Sequence, residues 1–160
     1  MPVPSFLQGS SAVRLRLALF ITAILLAGFL IGYTSNPQAS YAGFAKPSFA
    51  PPAWVFGPVW TLLYVMIGIA GWRLYETDPR STEMRLWWAQ MALNFAWTPV
   101  FFTAGARALA LAIILTLLAL IVALVLRLWP RDRTAALLLV PYAGWVGFAT
   151  ALNAAIVALN

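Results

Sequence analysis

A chain of 160 residues that is 63% hydrophobic and only 9% charged cannot clothe a water-soluble core, whose surface would need far more polar groups. Its net charge of +6 sits beside apolar runs instead of forming a patch, which points to membrane orientation and excludes nucleic acid as the expected partner. With no cysteine and no histidine it lacks the usual ligands of zinc, copper, iron–sulfur clusters and His-bound haem, so no metal site and no obligatory cofactor are expected.

Five apolar runs each approach the roughly 20 residues that a hydrocarbon core about 30 Å thick requires. We read them as membrane spans over residues 14–36, 53–75, 84–104, 108–129 and 134–159. The fold class is therefore an all-α integral membrane protein, a single bundle of five transmembrane helices covering 1–160, with no internal repeat. The first run has a second reading, because Arg14 and Arg16 precede it and Ser40, Tyr41 and Ala42 have the small-residue character of a signal-peptidase site. Its apolar stretch from Leu17 to Tyr33 exceeds the roughly 7–15 residues of a signal core, so a retained anchor fits better. Gly28 and Gly32 on this span have the spacing that lets helices approach closely.

The long connection, 37–52, is amphipathic and stiffened by Pro47, Pro51 and Pro52, and it is expected to act as a lid carrying Tyr41, Phe44, Lys46 and Phe49. Lys46 is placed either to pair with an anionic ligand group or to snorkel toward headgroups. Arg14, Arg16, Arg73, Arg80, Arg85, Arg127, Arg131 and Arg133 fall on one side of the spans, against Lys46 and Arg107 on the other. The positive-inside rule then predicts a multi-pass protein of a bacterial cell membrane, with its N-terminus cytoplasmic and its C-terminus and lid outside. All four acids, Glu76, Asp78, Glu83 and Asp132, lie at the arginine-rich side. No carboxylate is expected at membrane depth, which argues against a proton-coupled pump and against paired-carboxylate catalysis. No catalytic residue is assigned.

Tryptophan is the informative residue, with eight copies. Trp54, Trp72, Trp87, Trp88 and Trp129 fall at span ends, where an interfacial belt explains them. Trp60, Trp97 and Trp145 lie two or three turns inside their spans, where the belt explanation weakens. A four-residue period aligns Phe56, Trp60 and Tyr64 on the second span. Gln90, Asn94, Trp97 and Phe101 form a stripe on the third, and Tyr142, Trp145, Ala149 and Asn153 another on the fifth. One reading is ordinary packing, with Asn94 and Asn153 as interhelical hydrogen-bonding residues. The other is a cavity, since large indoles at one depth hold helices apart, and Pro58, Pro99 and Pro141, within or near outer ends or first turns, can splay them. A flat aromatic ligand would stack there.

Three segments carry a family likeness: KPSFAPPAWVFGPVWTLLY from Lys46 to Tyr64, QMALNFAWTPVFF from Gln90 to Phe102, and VPYAGWVGFATALN from Val140 to Asn153. Together they resemble the translocator protein family, TspO/MBR, the tryptophan-rich sensory proteins that include the peripheral-type benzodiazepine receptor. The resemblance implies a five-helix bundle, usually a homodimer in the lipid bilayer. It also implies binding of porphyrins such as protoporphyrin IX and, in some members, of cholesterol and isoquinoline or benzodiazepine drugs. By motif match the family's pocket residues fall on Trp60, Tyr64, Asn94, Trp97, Thr98, Tyr142, Trp145 and Ala149. Ser48 and Phe49 stand where relatives often carry Trp, and no Lys or Arg follows Tyr142 to complete a cholesterol motif.

The expected function is a receptor or sensor that binds porphyrin. The alternatives are a porphyrin or sterol carrier and an enzyme of light-dependent porphyrin breakdown. The chain shows neither an inverted repeat nor an ion-coupling acid. Breakdown would rest on the excited pigment and the indoles alone. A dimer surface is offered by Gly28 and Gly32, or by Ala112, Thr116, Ala119 and Ala123 on the fourth span, although both sets could equally pack within one bundle.

Overall fold

The computed structural model describes residues 11–160, and among them no strand occurs. In chain order the elements are α1 (Ser11–Ser35), α2 (Pro37–Ala42), a 3-10 turn (Ala53–Val55), α3 (Phe56–Thr77), α4 (Thr82–Thr98), a π turn (Pro99–Thr103), α5 (Arg107–Leu128) and α6 (Arg133–Leu159). Four of these segments, Ser11–Ser35, Ala53–Thr77, Arg107–Leu128 and Arg133–Leu159, are long and apolar enough to cross a membrane. The class is thus an all-helical membrane protein, and the remaining expected span is a composite rod. Its α-helical part has 17 residues, about 25 Å at the α-helical rise, and the π turn prolongs it.

Pro99 explains the change of winding. It has no N–H to donate to the carbonyl one turn back, and the backbone re-registers to π-type bonding, with the Ala104 amide donating to the Pro99 carbonyl at 2.9 Å. Pro58 sits in the first turn of α3, but Pro141 lies inside α6, well away from either end. The expected lid loop also contains the short helix α2, reached through Asn36, whose left-handed backbone (φ 42°) is a conformation that asparagine tolerates better than most residues.

Around the bundle α1 packs on α3, α3 on α6, α6 on α5 and α5 on α4. The ring closes only sparsely between α4 and α1, and α1 buries just Ile24 and Ser35. Ion pairs pin the arginine-rich end. Arg73 forks onto Asp132 at 2.8 and 2.9 Å, while Asp132 also caps α6 by accepting from the Ala135 amide at 3.1 Å. Buried Glu83 accepts from Arg127 at 3.0 Å and from Arg131 at 2.6 Å, and Arg16 pairs with Glu76.

Two tryptophans depart from the belt expectation. Trp54, Trp88 and Trp129 are exposed, but Trp72 and Trp87 are buried, at 6% and 1% exposure. The Trp87 indole lies against Gly71, where an added Cβ would come within 2.4 Å of the ring, and its N–H donates to the Ile67 carbonyl at 3.2 Å. The glycine makes room for a ring that then satisfies a backbone acceptor inside the core.

Candidate functional site

At the lid end of the bundle the helices stand apart around a hollow of about 400 Å³. The four-residue stripe of α3 brings Phe56, Trp60 and Tyr64 to its wall, α4 supplies Trp97 and Thr98, α6 supplies Trp145 and Ala149, and Tyr41 of α2 closes the top. The rings support one another. Trp60 lies 5.3 Å from Tyr64, Phe56 meets Trp145 nearly edge-on at 5.8 Å, and Trp97 stacks on Phe101 at 5.3 Å and 19°. Among the described residues none of those lining the hollow is charged.

Beneath it runs a buried polar chain that joins three helices. The Tyr64 hydroxyl donates to Asn94 Oδ1 at 3.1 Å, Asn94 Nδ2 donates to the Tyr142 hydroxyl at 2.8 Å, and that hydroxyl donates to Gln90 Oε1 at 2.8 Å. Gln90, Asn94 and Tyr142 therefore hold the floor without facing the hollow. Because the Tyr64 proton is committed to Asn94, the Tyr64 oxygen can meet a ligand only as an acceptor. Asn94 thus acts as interhelical glue. Asn153 does not: it is buried, yet its amide bonds to nothing among the described residues, and it lies off the cavity wall. Phe101 backs Trp97 from behind.

The lid is fastened at several points. The Tyr41 hydroxyl donates to the Pro51 carbonyl at 3.0 Å and the Ser40 hydroxyl to the Phe102 carbonyl at 3.3 Å. Asn160 brackets Ala45, accepting from its amide at 3.1 Å and donating to its carbonyl at 3.0 Å. Phe44 packs edge-on against Phe101 and lies under the Arg107 guanidinium, while Phe49 meets Phe148. Lys46 differs from both roles expected of it. Its ammonium donates to the carbonyls of Tyr41, Ala42 and Phe44 at 3.0, 3.4 and 3.1 Å, which uses its three N–H groups to cap α2. Phe44, Lys46 and Phe49 secure the lid and do not line the hollow.

The sequence stripes omit the wall contributed by α1. Gly28, Phe29 and Gly32 line the hollow, with Thr61 and Gly57 of α3 opposite. A Cβ on Gly28 would meet the Tyr64 ring at 2.3 Å, so this glycine seats α1 against the ring that begins the polar chain. Gly28 and Gly32 were legible as close-approach positions but not as cavity positions.

Residues 20–159 match the TspO/MBR family. A translocator protein homolog of Schizosaccharomyces pombe is 39% identical over 83% of this chain and 85% of its own length. The tryptophan-rich protein TspO of Archaeoglobus fulgidus is 38% identical over 91% and 97%, and the human translocator protein 37% identical over 71% and 70%. The aromatic hollow is thus found in a chain that belongs to the TspO/MBR family.

Proposed function

We propose that this protein is a membrane receptor of sensor type, whose hollow binds a planar, largely apolar pigment of the porphyrin class. The observation that carries the reading is a cavity of about 400 Å³ walled by Trp60, Tyr64, Trp97 and Trp145 from three helices. Its size falls in the range of about 300–1,000 Å³ usual for small-molecule sites, and its faces suit stacking. Relatives named translocator protein and tryptophan-rich sensory protein support a ligand-handling role in the membrane. We place the arginine-rich end with the N-terminus in the cytoplasm, and the lid and C-terminus outside a bacterial cell membrane. Homodimerisation fits α5, where Ala112, Thr116 and Ala119 are exposed small residues.

Titration of the purified protein with protoporphyrin IX, followed by quenching of intrinsic fluorescence, tests the site. Aromatic pairing is worth about 0.5–1.5 kcal/mol per ring, so a Trp60→Leu, Trp145→Leu double variant should bind about tenfold more weakly. Unchanged affinity in the folded double variant overturns the reading. The translocator names favour a carrier as the second reading, and pigment flux into sealed vesicles separates carrier from sensor.

A further inference from the structure

The sparse seam between α1 and α4 carries a second hollow, nearer the arginine-rich end. It measures about 420 Å³ and is walled by Phe20 and Ile24 of α1, Tyr75 of α3, and Trp87, Trp88 and Met91 of α4. Tyr64 lines the upper cavity and Phe95 the lower one, and their rings, 6.0 Å apart, stand between the two. Trp88 and Tyr75 remain 56% and 40% exposed, so the lower hollow faces the bilayer. A hollow with such apolar walls gives water few partners, and the material that surrounds it in a membrane is acyl chain.

Charge at the rim narrows the choice. Arg16 lines the groove and is paired with Glu76, and the other carboxylates at this end are also engaged. Glu83 holds Arg127 and Arg131, Asp132 holds Arg73, and Asp78 accepts from the Arg80 amide at 2.9 Å. Exposed Arg85, three residues before Trp88 and so on its side of α4, donates to the Thr82 hydroxyl at 3.2 Å and pairs with no carboxylate among the described residues. Arg85 thus brings a positive charge with no carboxylate partner to the groove's side of α4.

We propose that the groove is a binding site for one anionic phospholipid from the leaflet on the arginine-rich side. One acyl chain lies along Phe20, Ile24 and Met91, and the phosphate and headgroup sit at Arg85 and Arg16. The lipid bridges α1 to α4 where the protein's own contacts are thinnest, and so completes the ring. The site is separate from the pigment cavity and does not depend on what binds there.

Native mass spectrometry of the whole protein in detergent, titrated with phosphatidylglycerol or with phosphatidylcholine of the same acyl chains, tests this. One phosphatidylglycerol per chain should be retained at concentrations where phosphatidylcholine is lost. Arg85→Gln should weaken that retention about fivefold, the worth of one arginine near a membrane surface. Ala23→Phe, which fills the groove, should abolish it, and the exposed Arg85 variant keeps the test decisive if Ala23→Phe does not fold. Equal retention of both lipids, full retention in Arg85→Gln, or a dimer that covers the seam and carries no lipid overturns the proposal.

Discussion

Gly28→Ala is the sharpest probe of how the cavity is built. The new methyl would meet three Tyr64 ring atoms at 2.3, 2.8 and 2.9 Å, closer than real contacts allow, so either α1 moves out or the ring turns. Overpacking of this kind costs about 1–3 kcal/mol, against a gain of about 1 kcal/mol from replacing glycine by alanine within a helix. Net destabilisation should be about 0–2 kcal/mol. Ring movement also strains the 3.1 Å bond from the Tyr64 hydroxyl to Asn94 and removes a wall from the hollow. Pigment affinity should therefore fall about tenfold, equivalent to about 1.4 kcal/mol. Gly71→Ala is the control, because its methyl would press on Trp87 equally hard, at 2.4 Å, but away from the pigment cavity. Thermal unfolding by circular dichroism and porphyrin titration on both variants give the comparison. If Gly71→Ala weakens binding as much as Gly28→Ala, the loss comes through general stability and the reasoning fails. If Gly28→Ala binds normally, α1 does not shape the site.

Tyr142→Phe removes the hydroxyl that joins Asn94 to Gln90 and strands two buried amide groups, so the unfolding midpoint should drop by the equivalent of about 1–3 kcal/mol, while pigment affinity of the folded variant changes little. Asp132→Ala loses both the cap of α6 and the fork from Arg73 and should cost about 2 kcal/mol in the same melt. Asp132→Asn, which retains a capping oxygen, should recover about half of that loss. Lys46→Met should speed proteolysis of the lid around residues 42–52. It should leave unchanged the preference between a porphyrin diacid and its dimethyl ester, because the ammonium is committed to backbone carbonyls. A shift of that preference toward the ester would restore the anion-pairing role.

The parts of the site that sequence reveals are those fixed by helical period and depth. Phe56, Trp60 and Tyr64 share one face whatever the neighbours do, and indoles two or three turns from a span end are too deep for a headgroup belt to explain them. Other features depend on neighbours that the local pattern does not name. Along α1 from Leu17 to Tyr33 every residue is compatible with hydrocarbon, so no polar contrast separates the side that lines the cavity, with Gly28 and Phe29, from the side that meets lipid. Trp72 and Trp87 carry the same signal as Trp88, since a tryptophan near a span end suits a headgroup belt and a core equally. Gly71, on a different helix, is what admits Trp87 to the interior. Asn94 and Asn153 likewise look alike in sequence, both buried amides facing inward, yet only Asn94 has two tyrosine hydroxyls within reach. The rigidity of the floor therefore arises from the pairing of Asn94 with Tyr64 and Tyr142 across three helices. Above it, the third span continues past Trp97 and Thr98 into the π turn at Pro99, whose wider winding carries Phe102 to the cavity wall. The hydrogen-bonded floor and the π turn of the upper wall are set by residues only five positions apart, so replacing Asn94 should act on stability and replacing Pro99 on the shape of the cavity.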